Sequence, residues 1–177
     1  IGSWDWDIVN NELIWSDEIY RIFGTTPQDF EATYEAFLEM AHPADRAIIQ
    51  KAVDQALYEN KPYSTDHRIV LPGGEERIVH EQAEVIFDEV GKPIRMVGTV
   101  QDITKRRQSE DEEVMFGKIL ENSLNEIYIF DNEDLHFIWV NRGAQQNLGY
   151  SIRELKNLTP IDLKPEFTVP GFQELIQ

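Results

Sequence analysis

Trp4, Trp6 and Ile8 alternate with Asp5 and Asp7, the period-2 signature of a strand with one buried face. Asn10-Asn11 supplies a turn and Leu13 to Trp15 returns as a second strand. Ser16 or Asp17 then caps a short helix through Phe23, which Gly24 stops. From there the period changes, and Tyr34, Phe37, Leu38 and Ala41 recur at helical spacing. In the segment HPADR, residues 42–46, Pro43 suits a first helical turn and Asp45 its positive end. The pairs Ile48/Ile49, Ala52/Val53 and Ala56/Leu57 then repeat up to Asn60, a long helix with one apolar face.

Three strands follow, over residues 63–71, 75–87 and 94–103, separated by turns at Pro72-Gly73-Gly74 and at 88–91. Hairpin connections demand antiparallel pairing. The pattern predicts an α+β fold: a five-stranded antiparallel sheet with helices on one face. The last strand runs into QDITKRRQSED, where Asp102 or Thr104 is placed to accept the free N–H groups of a starting helix. Ser109 and Glu112 have capping-box spacing. Met115/Phe116, Ile119/Leu120 and Leu124 add an apolar stripe, so residues 108–123 read as a linker helix.

Beyond it the chain repeats itself. YIFDNEDLHFIWVN, residues 128–141, overlays WDWDIVNNELIWSD, residues 4–17, at an offset of 128 − 4 = 124. Asp7 meets Asp131, Leu13 meets Phe137 and Trp15 meets Trp139. One residue further out of register, Phe23-Gly24 matches Leu148-Gly149. A solenoid repeats every ~20–50 residues, whereas this offset is the size of a domain. The expectation is a tandem of related domains, residues 1–107 and 124–177. Counted from 125, the equivalent of position 1, the second copy has 177 − 124 = 53 positions, so it is expected to be truncated and the chain to be a piece of a longer protein.

Charge narrows the chemistry. Thirty-three acidic against 16 basic residues give −17, which argues against nucleic-acid binding and against direct contact with an acidic membrane. There is no cysteine, which removes disulfides, thiolate metal sites and thiol nucleophiles and fits a cytoplasmic setting. No apolar run reaches the ~20 residues that span a bilayer. His42 sits before a helix-starting proline, His67 and His80 lie on strands without a partner at ligand spacing, and His136 falls in a turn region. All four read as structural, surface or pairing residues, and no metal site is expected. Trp4, Trp6 and Trp15 read as core before ligand wall. Asp5, Asp7, Asp17 and Glu18 take solvated or capping positions, and nothing in the pattern asks for catalysis.

The segments GSWDWD (2–7), LIWSDEIYRIFG (13–24), HPADR (42–46), LPGGEERIVH (71–80) and GKPIRMVGTVQDITKRR (91–107) together resemble the PAS family, in the subclass with a C-terminal PAC segment. NLGYSIREL (147–155) and LTPIDLKPEF (158–167) resemble the first half of another PAS domain. Ile78 stands where the subclass often has tryptophan, and Gly73-Gly74 where Asp-Gly is usual. The resemblance implies a sensory module that detects a small ligand or a partner. It would signal through Asp102 and Thr104 into the linker helix and on to an output domain outside the chain, a sensor histidine kinase or a cyclic-dinucleotide cyclase. The alternative is a non-sensing dimerisation or spacer module. A homodimer is expected. The ligand pocket is unassigned and no cofactor is predicted. Haem-binding relatives usually take a histidine from the long helix, which has none here. Light-sensing relatives form a flavin adduct through cysteine, so only non-covalent flavin or another small ligand remains open.

Overall fold

The computed structural model describes residues 1–164, 166 and 168–175, in two compact units, residues 1–109 and 110–177. In the first, strands β1 (Gly2–Asp7) and β2 (Glu12–Trp15) form the opening hairpin, and helices α1 (Asp17–Phe23), α2 (Tyr34–Met40) and α3 (Arg46–Glu59) follow. Strands β3 (Tyr63–Val70), β4 (Glu76–Phe87) and β5 (Pro93–Asp102) complete a sheet of order β2-β1-β5-β4-β3, antiparallel throughout. The hairpin written first in the chain therefore pairs with the strand written last. Trp4 lies opposite Gly98 and Trp6 opposite Met96.

Apolar side chains from all three helices and from the sheet form one core around Phe23, Ile49, Ile69, Met96 and Val100. The helix ends follow local chemistry, with some exchange of roles. Gly24 takes the left-handed conformation that stops α1 (φ 64°). Ser16 occupies the N-cap of α1, yet its hydroxyl accepts the Ser3 N–H of β1 instead of a helix N–H. Pro43 lies before α3 rather than in it, and Asp45 at the N-cap makes no side-chain capping bond. Its carboxylate instead grips Arg68 of β3 through the backbone N–H (3.0 Å), Nε (2.9 Å) and Nη2 (2.7 Å). A charge-assisted fork of this kind outweighs a single cap bond, and it fixes α3 to the sheet.

Helix α4 runs unbroken over Thr104–Asn122, so Ser109 is interior to it and the capping-box spacing at Ser109 and Glu112 is not used. The second unit carries the hairpin β6 (Tyr128–Phe130) and β7 (Phe137–Val140), then α5 (Arg142–Leu148), α6 (Ile152–Leu155), α7 (Pro160–Leu163) and α8 (Val169–Leu175). Its small core is Phe137, Val140, Ala144 and Leu155. In the motif at 158–167, Pro165 and Phe167 lie outside the described residues.

The repeat is visible in hydrogen bonds. Asp7 accepts the N–H groups of Val9 and Asn10, and Asp131 those of Glu133 and Asp134. Ser16 accepts from Ser3, and Asn141 accepts from Ile127. Asn141 goes further, capping Ala144 and donating to the carbonyls of Leu120, Ser123 and Asn125, so this buried amide is fully used.

Closure of the first unit rests on a close approach. A Cβ on Gly98 would stand 2.5 Å from the Gln82 carbonyl oxygen and 2.6 Å from the Trp4 ring. Neither the β4 backbone nor a ring wedged in the core moves cheaply, so Gly98→Ala is expected to lower stability by ~1–3 kcal/mol in urea unfolding. A variant as stable as the wild type would show that β1 and β5 are not held this tightly.

Candidate functional site

The first unit encloses a cavity between sheet and helices. The opening hairpin supplies Trp4, Trp6, Leu13 and Trp15, α1 supplies Ile19 and Phe23, and α2 supplies Tyr34 and Phe37. Val53 of α3, Tyr63 of β3, Glu81 of β4, and Met96 and Val100 of β5 complete the wall. The rings are interlocked: Trp6 stacks on Tyr34 at 4.9 Å between centroids, and Trp15 on Phe30 at 4.9 Å. The tryptophans are thus core and cavity wall at once. The cavity measures about 30 Å³, room for one or two waters. Drug-sized ligands need ~300–1,000 Å³, so a flavin does not fit this site.

One polar group breaks the apolar wall. Glu81 is 2% exposed, and the Tyr63 hydroxyl donates to its Oε2 at 2.8 Å. Burial pushes the carboxyl up to about 7 from an ordinary 4.5, with the Tyr63 bond pulling the other way; this corresponds to ~3 kcal/mol against ionisation. Burial, together with the charge of Glu81, also raises the Tyr63 hydroxyl well above its usual value. On the neighbouring strand His67 is 3% exposed, edge-on to Phe37, and neither ring nitrogen has a hydrogen-bond partner. Burial pulls it down to about 4, so it is a neutral core residue. The expectation that His67 is a surface or pairing residue is therefore corrected, because its strand parity turns it inward with Tyr63 and Ile69. His80 does pair, with Asp66.

Asp102 and Thr104 meet where β5 becomes α4. The Asp102 carboxylate accepts the Thr104 N–H at 2.9 Å and its hydroxyl at 2.6 Å. Thr104 does not cap the helix itself. Its oxygen accepts the Ile78 N–H of β4 at 3.0 Å, and the Ile103 N–H donates to the Ile78 carbonyl at 2.9 Å. Arg77, which the sequence did not single out, lies 3.9 Å from the Asp102 carboxylate and donates to the carbonyls of Arg21 and Ile22 at the end of α1. Arg107 of α4 pairs with Asp66 of β3. The start of α4 is thereby fastened to β3 and β4 and, through Arg77, to the helix that gives the cavity Ile19 and Phe23.

A five-stranded antiparallel sheet packed against helices around a small internal cavity, ending in a helix anchored on the sheet, defines an α+β fold class. A family model described as "PAS fold" matches residues 12–100, half of the chain, and one described as "PAS domain" matches 125–167. The chain belongs to the PAS family. It is 25% identical over 179 aligned residues to a blue-light-activated histidine kinase of Brucella ovis, covering 99% of this chain and 36% of that protein. A sensory box histidine kinase/response regulator from Burkholderia thailandensis E264 has the same fold, with TM-score 0.60 and 25% identity over 69% of this chain and 91% of that one. The N-terminal domain of a diguanylate cyclase with PAS/PAC sensor from Marinobacter aquaeolei aligns with TM-score 0.55 and 17% identity, over 60% and 97% of the two chains. The chain thus spans about a third of the length of the curated relatives it matches. Among the described residues no helix is long and apolar enough to cross a membrane.

Glu81 and His67, both buried, make opposite demands. Glu81 holds its proton in the fold up to about 7 but releases it near 4.5 when unfolded, so its contribution is lost as pH rises between those values. His67 stays neutral in the fold down to about 4 but takes a proton below 6.5 when unfolded, so its contribution is lost as pH falls through that range. From pH ~4.5 to ~6.5 the slopes, ~1.4 kcal/mol per pH unit each, cancel. Replacing Glu81 by Gln is expected to expose the His67 slope, so that stability rises with pH there while the wild type stays level. Parallel profiles from chemical denaturation would show that Glu81 titrates normally.

Proposed function

We propose that residues 1–107 are a PAS/PAC sensory domain that detects a small ligand or a partner. In this reading residues 108–123 are its linker helix and 124–177 the N-terminal half of a second PAS domain. The signal passes through the Asp102-Ile103-Thr104 junction into α4 and on to an output domain outside this chain, a sensor histidine kinase or a cyclic-dinucleotide cyclase, in a cytoplasmic setting. One observation carries the reading: β5 both walls the cavity, through Met96 and Val100, and ends on the Asp102–Thr104 clamp that starts α4. Any change in the cavity that shifts β5 therefore acts on the first turn of the helix. A cap is worth ~1 kcal/mol, and a change of that size rebalances two helix states of similar energy. Histidine-kinase and diguanylate-cyclase relatives support the choice of output. The chain has no cysteine for a covalent flavin adduct, and the cavity does not fit a flavin.

The second reading, a dimerisation or spacer module, is favoured by α4, which exposes Val114, Met115, Phe116 and Ile119. A homodimer through this stripe is compatible with either function.

The two readings separate at the junction. Replacing Asp102 and Thr104 together by alanine is expected to cost ~1–3 kcal/mol and to leave the first unit folded, since neither residue belongs to its core. In the full-length protein that carries this chain, the double variant should assemble normally yet fail to change its output on stimulation. A folded double variant with a normal response would sink the coupling, and loss of assembly with it would favour the spacer.

A further inference from the structure

The electrostatics of the cavity select a class of ligand. The rings of Trp4, Trp6, Trp15 and Tyr34 line it, and Glu81 is the one carboxyl side chain in its wall; no lysine, arginine or histidine is among the lining residues. Tyr63 is the one hydrogen-bond partner of the Glu81 carboxyl among the described residues. The wider field has the same sign. Burial pushes the Tyr34 hydroxyl up to about 12, helped by Asp54 of α3, Glu35 of α2 and Glu81 of β4. Aromatic faces attract cations through the ring quadrupole, with ~2 kcal/mol or more when the cation is desolvated. A buried carboxylate, by contrast, is costly until a positive charge joins it.

Resting on the sensory reading above, we propose that the cavity binds a small organic cation, a short-chain alkylammonium, with its ammonium on the Glu81 carboxylate and its alkyl group among the tryptophan rings. An anion would meet the Glu81 carboxyl, and a neutral alcohol would supply no counter-charge once Glu81 is ionised. The size of the cavity limits the ligand to a few heavy atoms unless the rings part. Because Glu81 is protonated below about 7 in the free protein, the cation must displace that proton. Affinity therefore rises with pH through neutrality, and binding below pH 7 releases a proton. The titratable groups facing Glu81 do not compete in this range: Tyr63 and Tyr34 stay protonated, and inward-facing His67, pulled down to about 4, stays neutral.

The test uses the 177-residue chain with ethylammonium chloride as probe, and with ethanol, sodium acetate and tetraethylammonium as controls at matched ionic strength. The readouts are tryptophan fluorescence, which three of the four tryptophans report from the cavity wall, and the melting temperature. Ethylammonium is expected to give a saturable change with ~10-fold tighter binding at pH 8 than at pH 6, as the ionised fraction of Glu81 rises. Glu81→Gln should bind at least ~10-fold more weakly with no pH dependence, and Tyr63→Phe should keep the response. If the glutamine variant does not fold, the wild-type pH profile decides alone. Absence of saturation at ~100 mM and pH 8, or equal binding of ethanol, would overturn the ligand class. Binding of ethanol but not ethylammonium would do so while leaving the sensory reading intact. That reading fails separately, at the Asp102 and Thr104 junction, whatever the cavity binds.

Discussion

Strand β5 is the constraint on which the first unit depends. It lies at the centre of the sheet, paired on one side with β1 from the start of the chain and on the other with β4. The β1–β5 pairing joins residues about ninety positions apart, as the Asp5–Arg95 ion pair shows, and loop closure over that distance must be offset by contacts made at once. The contacts are those of Trp4 packed over Gly98 and of Trp6 beside Met96. By bringing the opening hairpin to the middle strand, this pairing places three tryptophans over the cavity. The same strand ends at the clamp that launches α4. The cavity and the start of α4 are therefore neighbours along one strand.

Inside the shell, polarity is kept to a minimum and put to use. The buried Asn141 of the second unit satisfies its amide completely and is structural. Glu81 and His67 are different, since each is buried in its neutral form and each costs stability on one side of neutrality. Such groups persist where something other than stability favours them. Glu81 faces the cavity, where the proposed cation would pair with it; His67 does not line the cavity, and its two unpaired nitrogens have no structural counterpart that explains them.

Much of the architecture was legible in the sequence because it rests on periodicity. The alternation in residues 4–8, the four-residue period in the long helix and the Gly-containing turns between the last three strands each report local geometry, and the sheet follows from hairpin logic. The repeat was legible for the same reason, down to the matched aspartates at 7 and 131. Side-chain partners were less so. Asp45 sits where a cap belongs and turns instead to Arg68; Ser16 and Thr104 likewise bond to neighbouring strands, which no local pattern announces. The signal of Glu81 is present in the sequence but masked. It shares strand parity with Val79, Ala83 and Val85, so a period-2 reading of β4 places it inward, but a glutamate within an acidic chain looks like solvated surface. Arg77 carries no local signal for its link to α1, because those partners are backbone carbonyls far away in sequence.

The central claim is that the state of the cavity is felt at the first turn of α4 through β5. Amide hydrogen exchange on Val100→Ala tests it most directly, since Val100 is buried in the cavity wall and lies two positions before Asp102. Removing its two methyl groups loosens the wall without touching the clamp. The account expects faster exchange at Ile103 and through the first turn of α4 than overall destabilisation accounts for, with the amides of α3 as the internal reference. Exchange in α4 that changes no more than in α3 would contradict it.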